Sequence, residues 1–203
     1  KPSLPEPLRF LHDAIVAGHH QLLRYATERA LMDTPRTTIV ARVLQGHAAY
    51  WAHCGDSRIY HFRGDRLASR SSDHSYVNEM LRKGYLTPEQ AESHPQKNVL
   101  LGCLGSEREP TIDYGEAVPP VAGDIFLLCS DGLWAYFSDD ELGGVLTAHP
   151  PRAAAEILIQ RARDRANGHG DNCSLVIIKL VEKQEEKKSP PAATRPAPRP
   201  AHP

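Results

Sequence analysis

The chain has 203 residues, of which 40% are hydrophobic and 24% charged, and this excludes a wholly disordered or collagen-like polymer. Its 24 basic and 25 acidic residues leave a formal net charge of -1, without the basic excess that a nucleic-acid binder uses to neutralise phosphates. No apolar run approaches the ~20 residues of a membrane helix, and no signal peptide is recognisable, so a cytoplasmic protein is expected.

From Pro5 to about Leu31 the spacing predicts a long amphipathic helix, with Leu8, Leu11, Ile15, Leu22, Tyr25 or Ala26, and Ala30 near one face. Pro7 suits its first turn and Thr34-Pro35 stops it. Strand signals follow over Thr37–Leu44 and Ala48–Cys54, joined by the turn Gln45-Gly46-His47 into a hairpin. A second hairpin is predicted from Arg58–Arg63 and Arg66–Arg70 around Gly64-Asp65. Residues 71–110 break this pattern. A short helix over Val77–Lys83 should end at Gly84, and Thr87-Pro88-Glu89-Gln90 is a capping box with proline at the first helical position. An insertion of this length between strands points to a functional role.

Thr111–Val118 reads as a weak strand, and the apolar run Ile125–Cys129 as a strand buried on both faces. A capping box at Ser138 to Glu141 should open a helix to about Ala148. Arg152–Arg165 forms a further helix, with Ala155, Leu158, Ile159 and Ala162 on one side, closed by Gly168 and Gly170. Cys173–Leu180 is a second buried strand. Beyond Val181 come a charge run and then six prolines between Ser189 and Pro203, so 182–203 is expected to be a disordered tail on a domain spanning 1–181. Hairpins imply antiparallel pairing, which makes this an α+β layered domain and not a doubly wound parallel sheet.

The four cysteines (Cys54, Cys103, Cys129, Cys173) show no C-x-x-C pair and read as small hydrophobes in a reducing compartment. His19 and His20 are adjacent, which is poor metal-ligand spacing on a helix. Three acidic turns remain: Gly55-Asp56-Ser57-Arg58, Ser130-Asp131-Gly132 and Gly170-Asp171-Asn172. Each alone is ordinary turn chemistry. If the strands at 125–129 and 173–180 are antiparallel neighbours, however, Asp131 and Asp171 share one end of a sheet, and Asp56 could join them. Clustered carboxylates need a cation, and oxygen ligands suit Mg²⁺ or Mn²⁺ better than zinc. With no serine or cysteine nucleophile motif, P-loop or dinucleotide fingerprint, metal-activated water is the catalytic scheme the residues offer.

The ordered set G-D-S-R (Gly55 to Arg58), D-H-S (Asp73 to Ser75), L-G (Leu104-Gly105), G-D-x-x-L-L-C-S-D-G-L (Gly123 to Leu133) and G-D-N-C-S (Gly170 to Ser174) resembles the bacterial protein phosphatase 2C, or PPM, family. Thr37-Thr38 sits where that family has a T-T pair and is taken as structural. The resemblance covers about Leu8 to Leu180. It implies a four-layer α-β-β-α sandwich of two antiparallel sheets, and metal-dependent hydrolysis of phosphoserine and phosphothreonine in proteins. It further implies that Asp131 and Asp171 bind the core Mn²⁺ or Mg²⁺ ions and Asp56 a third, weaker one, with Ser130, Gly132, Gly170 and Asn172 supporting them. The 71–110 insertion, including Asp73, His74 and Ser75, matches the flap beside the active site. Partners implied are phosphoprotein substrates and a cognate serine/threonine kinase, with no nucleic acid, no membrane and a monomeric state.

The family's N-terminal acidic motif and its D-G-x-G-G-H motif have no counterpart here, so no catalytic residue beyond the metal ligands is assigned. Together with Lys1 in place of an initiator Met, this makes the chain read as a member lacking its first part and its N-terminal strands. The competing expectations are a non-catalytic pseudophosphatase that binds phosphoproteins or a kinase, and a hydrolase of small phosphoesters.

Overall fold

The computed structural model describes residues 3–117 and 119–182. In chain order the elements are α1 (Pro7–Glu28), β1 (Ile39–Gln45), β2 (Ala48–Cys54), β3 (Arg58–Arg63), β4 (Arg66–Arg70), α2 (Tyr76–Arg82), α3 (Pro88–Glu92), β5 (Asp113–Ala117), β6 (Asp124–Cys129), α4 (Asp131–Trp134), α5 (Asp139–Ala148), α6 (Pro151–Ala166) and β7 (Leu175–Lys179). The tail expected over 182–203 lies outside the described residues from position 183 onward, as does the last residue of the strand expected over 111–118.

Local chemistry sets most boundaries. Both expected capping boxes form: Thr87 with Gln90 opens α3, and Ser138 with Glu141 opens α5, each satisfying two otherwise orphaned N–H groups. Pro7 stands in the first turn of α1. Helix α6 closes on Asn167 in the left-handed conformation (φ 47°), one residue before the glycine expected to end it. Asparagine tolerates that region because its short amide can bond locally. Ala154, and not Ala155, joins Leu158 and Ala162 in burial on this helix.

All strand pairs are antiparallel, in two sheets of order β1-β2-β5 and β4-β3-β6-β7. Alternation along each strand gives every sheet an outer, helix-covered face. On the first sheet, Ala52 and Cys54 of β2 pack with Leu11 and Ile15 of α1 and with Leu104. On the second, Tyr60 and Phe62 of β3 and Ile125, Leu127 and Cys129 of β6 pack with Leu142 and Leu146 of α5 and Leu158 of α6. This gives four layers, helix–sheet–sheet–helix.

The apolar cores thus sit between sheet and helix on either flank. The layer between the sheets is of another kind. Arg42 of β1 lays its guanidinium 3.5 Å from the ring centre of Phe126 on β6, across the gap. His61 packs on the same ring, with 4.6 Å between centroids. Asp124, fully buried, takes two bonds from Arg63 (2.9 and 3.0 Å) and lies 3.1 Å from Nε2 of His61. Burial alone would raise this carboxyl's pKa, but the bonds from Arg63 and the Val121 N–H, with the nearby His61 ring, outweigh it and hold the group at about 2.

Candidate metal centre

The site begins with strand register. β6 and β7 pair with Cys129 opposite Leu175, so the exit of one lies beside the start of the other. Ser130 fastens this junction. Its N–H donates to the Ser174 carbonyl (3.0 Å), its hydroxyl donates to the Asn172 carbonyl (3.2 Å), and the same oxygen accepts from the Ser174 N–H (3.0 Å). Asp131 and Asp171 are thereby brought to one end of the second sheet.

The close approach depends on a missing side chain. A Cβ on Gly132 would stand 2.4 Å from the Asn172 carbonyl oxygen. The Asp131-Gly132 pair, expected as a turn, is the first turn of α4, with Ser130 at its N-cap. Glycine's poor helix propensity hid this four-residue element from the sequence pattern, while an aspartate in a first turn is favoured by the local N–H groups. Asp131 Oδ1 accepts from the Gly132 N–H (2.9 Å), and Asp171 Oδ1 accepts from the Asn172 N–H (2.6 Å). One oxygen of each carboxylate is oriented in this way, and among the described residues the other makes no hydrogen bond.

Asp56 arrives from the β2–β3 connection. Gly55 precedes it at φ 111°, where a Cβ would stand 2.3 Å from Cγ2 of Thr38. Thr38 in turn shares a 2.8 Å hydrogen bond with Ser57, which gives the Thr37-Thr38 pair its structural part. The Asp56 carbonyl accepts from the Trp134 indole N–H (2.9 Å), tying this loop to α4. Burial, then the charge of Asp131, then that of Asp73 push the Asp56 carboxyl up from 3.8 to about 6. Asp56 and Asp131 are therefore electrostatic neighbours. Asp56, Asp131 and Asp171 do not, however, bring their oxygens within 4.8 Å of one another as a single three-ligand group. A two-ion site spreads its ligands more widely, because ions ~3.5–4 Å apart are bridged by water and substrate oxygen.

The other expected site residues lie close by and make internal contacts. Asp73 receives a two-pronged ion pair from Arg58 (2.8 and 2.7 Å), whose guanidinium also lies 3.4 Å from the Trp134 ring centre. Ser75 caps α2 by accepting from the Asn78 N–H. His74 donates its backbone N–H to the Gly55 carbonyl (2.9 Å). Gly170 sits where a Cβ would meet that of Ala166 at 2.8 Å. The cysteines are all free, with Cys54 and Cys129 buried.

Two clusters escaped the sequence. His19, His20 and Glu109 present ligand atoms within 4.8 Å of one another, as do His53, His74 and Asp113. The first runs against the expectation that adjacent His19 and His20 are poorly spaced as ligands, although one is buried and the other exposed. Their rings meet at 5.4 Å, with buried His19 accepting from the Gly105 N–H (3.2 Å) and exposed His20 standing 3.3 Å from Glu109. No signal in the spacing could have found either cluster, since each joins segments far apart in the chain.

No family model matches the chain. It is 37% identical over 150 residues to protein phosphatase PhpP of Streptococcus pneumoniae, a match covering 74% of this chain and 60% of that protein. It is 32% identical over 180 residues to the serine/threonine phosphatase stp of Listeria welshimeri, covering 88% of this chain and 69% of that one. The catalytic domain of serine threonine protein phosphatase PstP, solved in complex with two manganese ions, superposes with a TM-score of 0.76 at 30% identity, over 90% of this chain and 74% of that one. The chain spans about three-fifths of the length of the first curated relatives it matches.

Proposed function

The chain belongs to the bacterial PPM-type family of serine/threonine phosphatases, and on that premise we propose that it carries most of the catalytic domain of a metal-dependent protein serine/threonine phosphatase. The observation that carries this reading is the Ser130 junction, which brings the Asp131 and Asp171 turns together at one end of the sheet, near an Asp56 carboxyl that burial, and then the charges of Asp131 and Asp73, push up to about 6. A carboxylate destabilised by burial and by neighbouring negative charge is neutralised either by a proton or by a cation.

The donors are carboxylate oxygens throughout, which fits Mn²⁺ or Mg²⁺. Asp131 and Asp171 would hold the core ions, and Asp56 a further one. When bound, the ions supply Lewis acidity toward a phosphoryl oxygen and ionise the attacking water at neutral pH. The chain's own part is positioning. Gly132 and Asn172 fix how closely the two loops approach, and the Gly132 and Asn172 N–H groups orient one oxygen of each aspartate. Arg58 is committed to Asp73 and Trp134, so phosphate recognition falls to other groups. Asp73, His74 and Ser75 anchor the base of the 71–110 flap to the β2–β3 connection, and the flap's outer part faces substrate.

Residues 1–181 would form the phosphatase domain and 182–203 a Pro-rich tail. The substrates would be phosphoserine and phosphothreonine proteins, with a cognate kinase as the opposing enzyme. No helix among the described residues is long and apolar enough to cross a membrane, and we place the protein in the cytoplasm as a monomer. Phosphatase names throughout the relatives above favour catalysis over a purely binding role.

The test is a Mn²⁺-dependent assay on a phosphothreonine peptide, using this chain and its longest natural extension. Asp131→Asn should lower the extended protein's activity by at least about a hundredfold and leave its circular dichroism unchanged, because removing a ligand costs no less than removing a supporting group. Retained hydrolysis of para-nitrophenyl phosphate by the variant would refute the assignment.

A further inference from the structure

Three buried imidazole nitrogens in the described structure have no hydrogen-bond partner although a carboxylate stands nearby: Nε2 of His61, 3.1 Å from Asp124, and, paired in one cluster, Nδ1 of His53 and Nε2 of His74. Orphaned buried polar atoms are costly and call for an explanation. His53 lies on β2 directly opposite Asp113 on β5, so the register of the first sheet sets the two side by side. His74 closes over them, its backbone fixed by an N–H bond to the Gly55 carbonyl (2.9 Å) and by its own carbonyl accepting from the Leu101 N–H (2.7 Å). The two rings lie 4.6 Å apart. Asp113 Oδ2 is 3.2 Å from His74 Nε2, yet the two do not align as a hydrogen bond.

We propose that His53, His74 and Asp113 form a transition-metal site, distinct from the aspartate centre, that takes Zn²⁺ through two imidazoles and one carboxylate with a fourth position open. Four arguments support it. Each residue offers a ligand atom within 4.8 Å of the other two. The 3.2 Å between His74 Nε2 and Asp113 Oδ2 matches the ~3.3 Å that separates neighbouring ligands of a tetrahedron with bonds of about 2.0–2.1 Å. Nε2 of His53 lies 2.9 Å from the Ser72 carbonyl, which fixes the proton there and leaves Nδ1 as a bare lone pair, as second-shell carbonyls do for zinc-bound histidines. Mixed nitrogen and oxygen donors select zinc over the magnesium and manganese that all-oxygen sites prefer.

His74 has one adjustment to make. Its Nδ1 accepts the Gly55 N–H over 3.3 Å, so the neutral ring carries its proton on Nε2. Zinc at Nε2 places that proton on Nδ1, where it faces the Gly55 N–H, so this long contact is lost and the Gly55 peptide has to turn away from the ring. Asp113 is half exposed (side chain 51%), and the cluster opens on a cleft lined by Asp73, Asn78 and Arg82, which gives an ion its way in.

The experiment uses the purified chain, stripped by a chelator and then kept in excess Mg²⁺ to occupy oxygen sites. Zn²⁺ is titrated by calorimetry, and Co²⁺ replaces it for visible spectroscopy. One Zn²⁺ should bind per chain, and Co²⁺ should give the intense absorption of a tetrahedral site. Asp113→Asn, a change on the surface of an edge strand, and His74→Gln should each weaken binding by at least about tenfold and abolish the band. Asp131→Asn should leave both readouts unchanged. The absence of stoichiometric zinc uptake, undiminished affinity in both cluster variants, or loss of uptake in Asp131→Asn but not in Asp113→Asn would each overturn the proposal.

Discussion

Replacing Asp56 with asparagine should stabilise the metal-free chain at neutral pH and destabilise the metal-loaded one. The carboxyl sits at about 6 against an ordinary 3.8, raised by burial and by Asp131 and Asp73. That gap of roughly two units corresponds to about 3 kcal/mol at ~1.36 kcal/mol per unit. Asp56 is only half-buried, and solvent screening reduces the figure to about 1–1.5 kcal/mol. A carboxyl raised on folding favours the folded chain fully below its unfolded pKa, and that contribution is lost as pH rises through about 6. With a chelator present, Asp56→Asn should therefore raise the melting temperature by about 2–6 °C near pH 8, and by about a fifth of that near pH 4. Saturating Mn²⁺ should reverse the order, because the wild type gains stability by mass action that the variant, lacking one oxygen donor, cannot match. Urea or thermal unfolding by circular dichroism at the two pH values, with and without Mn²⁺, measures all four quantities. A gain independent of pH, or none at pH 8, would refute the claim that burial and crowded negative charge together strain this end of the sandwich.

Gly132→Ala places a methyl group 2.4 Å from the Asn172 carbonyl, so the β6–β7 junction must open. The expected cost is about 1–3 kcal/mol in chemical denaturation, with weaker Mn²⁺ binding by calorimetry; unchanged affinity would detach the loop spacing from the metal site. Asp73→Ala leaves the Arg58 guanidinium without its carboxylate partner in a place where the two side chains are 16% and 10% exposed. The penalty should reach about 3 kcal/mol, and added salt should not mask it, unlike a surface pair. A loss under about 1 kcal/mol would mean that Trp134 stacking alone holds the arginine.

The parts of this molecule that could be read from its sequence are those where one short signal determines one outcome. The capping boxes at Thr87 and Ser138 fix helix starts whatever lies around them. The apolar runs of β6 and β7 force both into one buried sheet, and antiparallel pairing then brings Asp131 and Asp171 to the same end. Other features depend on register and packing, which spacing does not encode. That His53 faces Asp113 follows from how β2 meets β5. That His74 joins them follows from the path of a loop. Glycine concealed α4 because its poor helix propensity is a local signal, whereas the reason for a glycine there, the Asn172 carbonyl, is 40 positions away along the chain. Arg42, Asp124 and His61 would be assigned to solvent on composition alone. The structure puts them between sheets, where each finds a ring or an opposite charge.

That ionic and aromatic seam bears on how the molecule comes apart. Each sheet is welded by hydrocarbon to its own helices, whereas the layer between the sheets adds buried charge and ring stacking to apolar side chains such as Ile59 and Ala49. Solvent admitted at the seam can rehydrate Arg42 and Asp124 while both flanks stay folded. The expected outcome is two cooperative units with different hydrogen-exchange protection. The chain carries two tryptophans, and one reports on each unit. Trp51 lies in the first sheet against Gly115, and Trp134 stands at the end of the second against Arg58. Fluorescence of single-tryptophan variants would resolve two denaturation midpoints where global helicity reports an average.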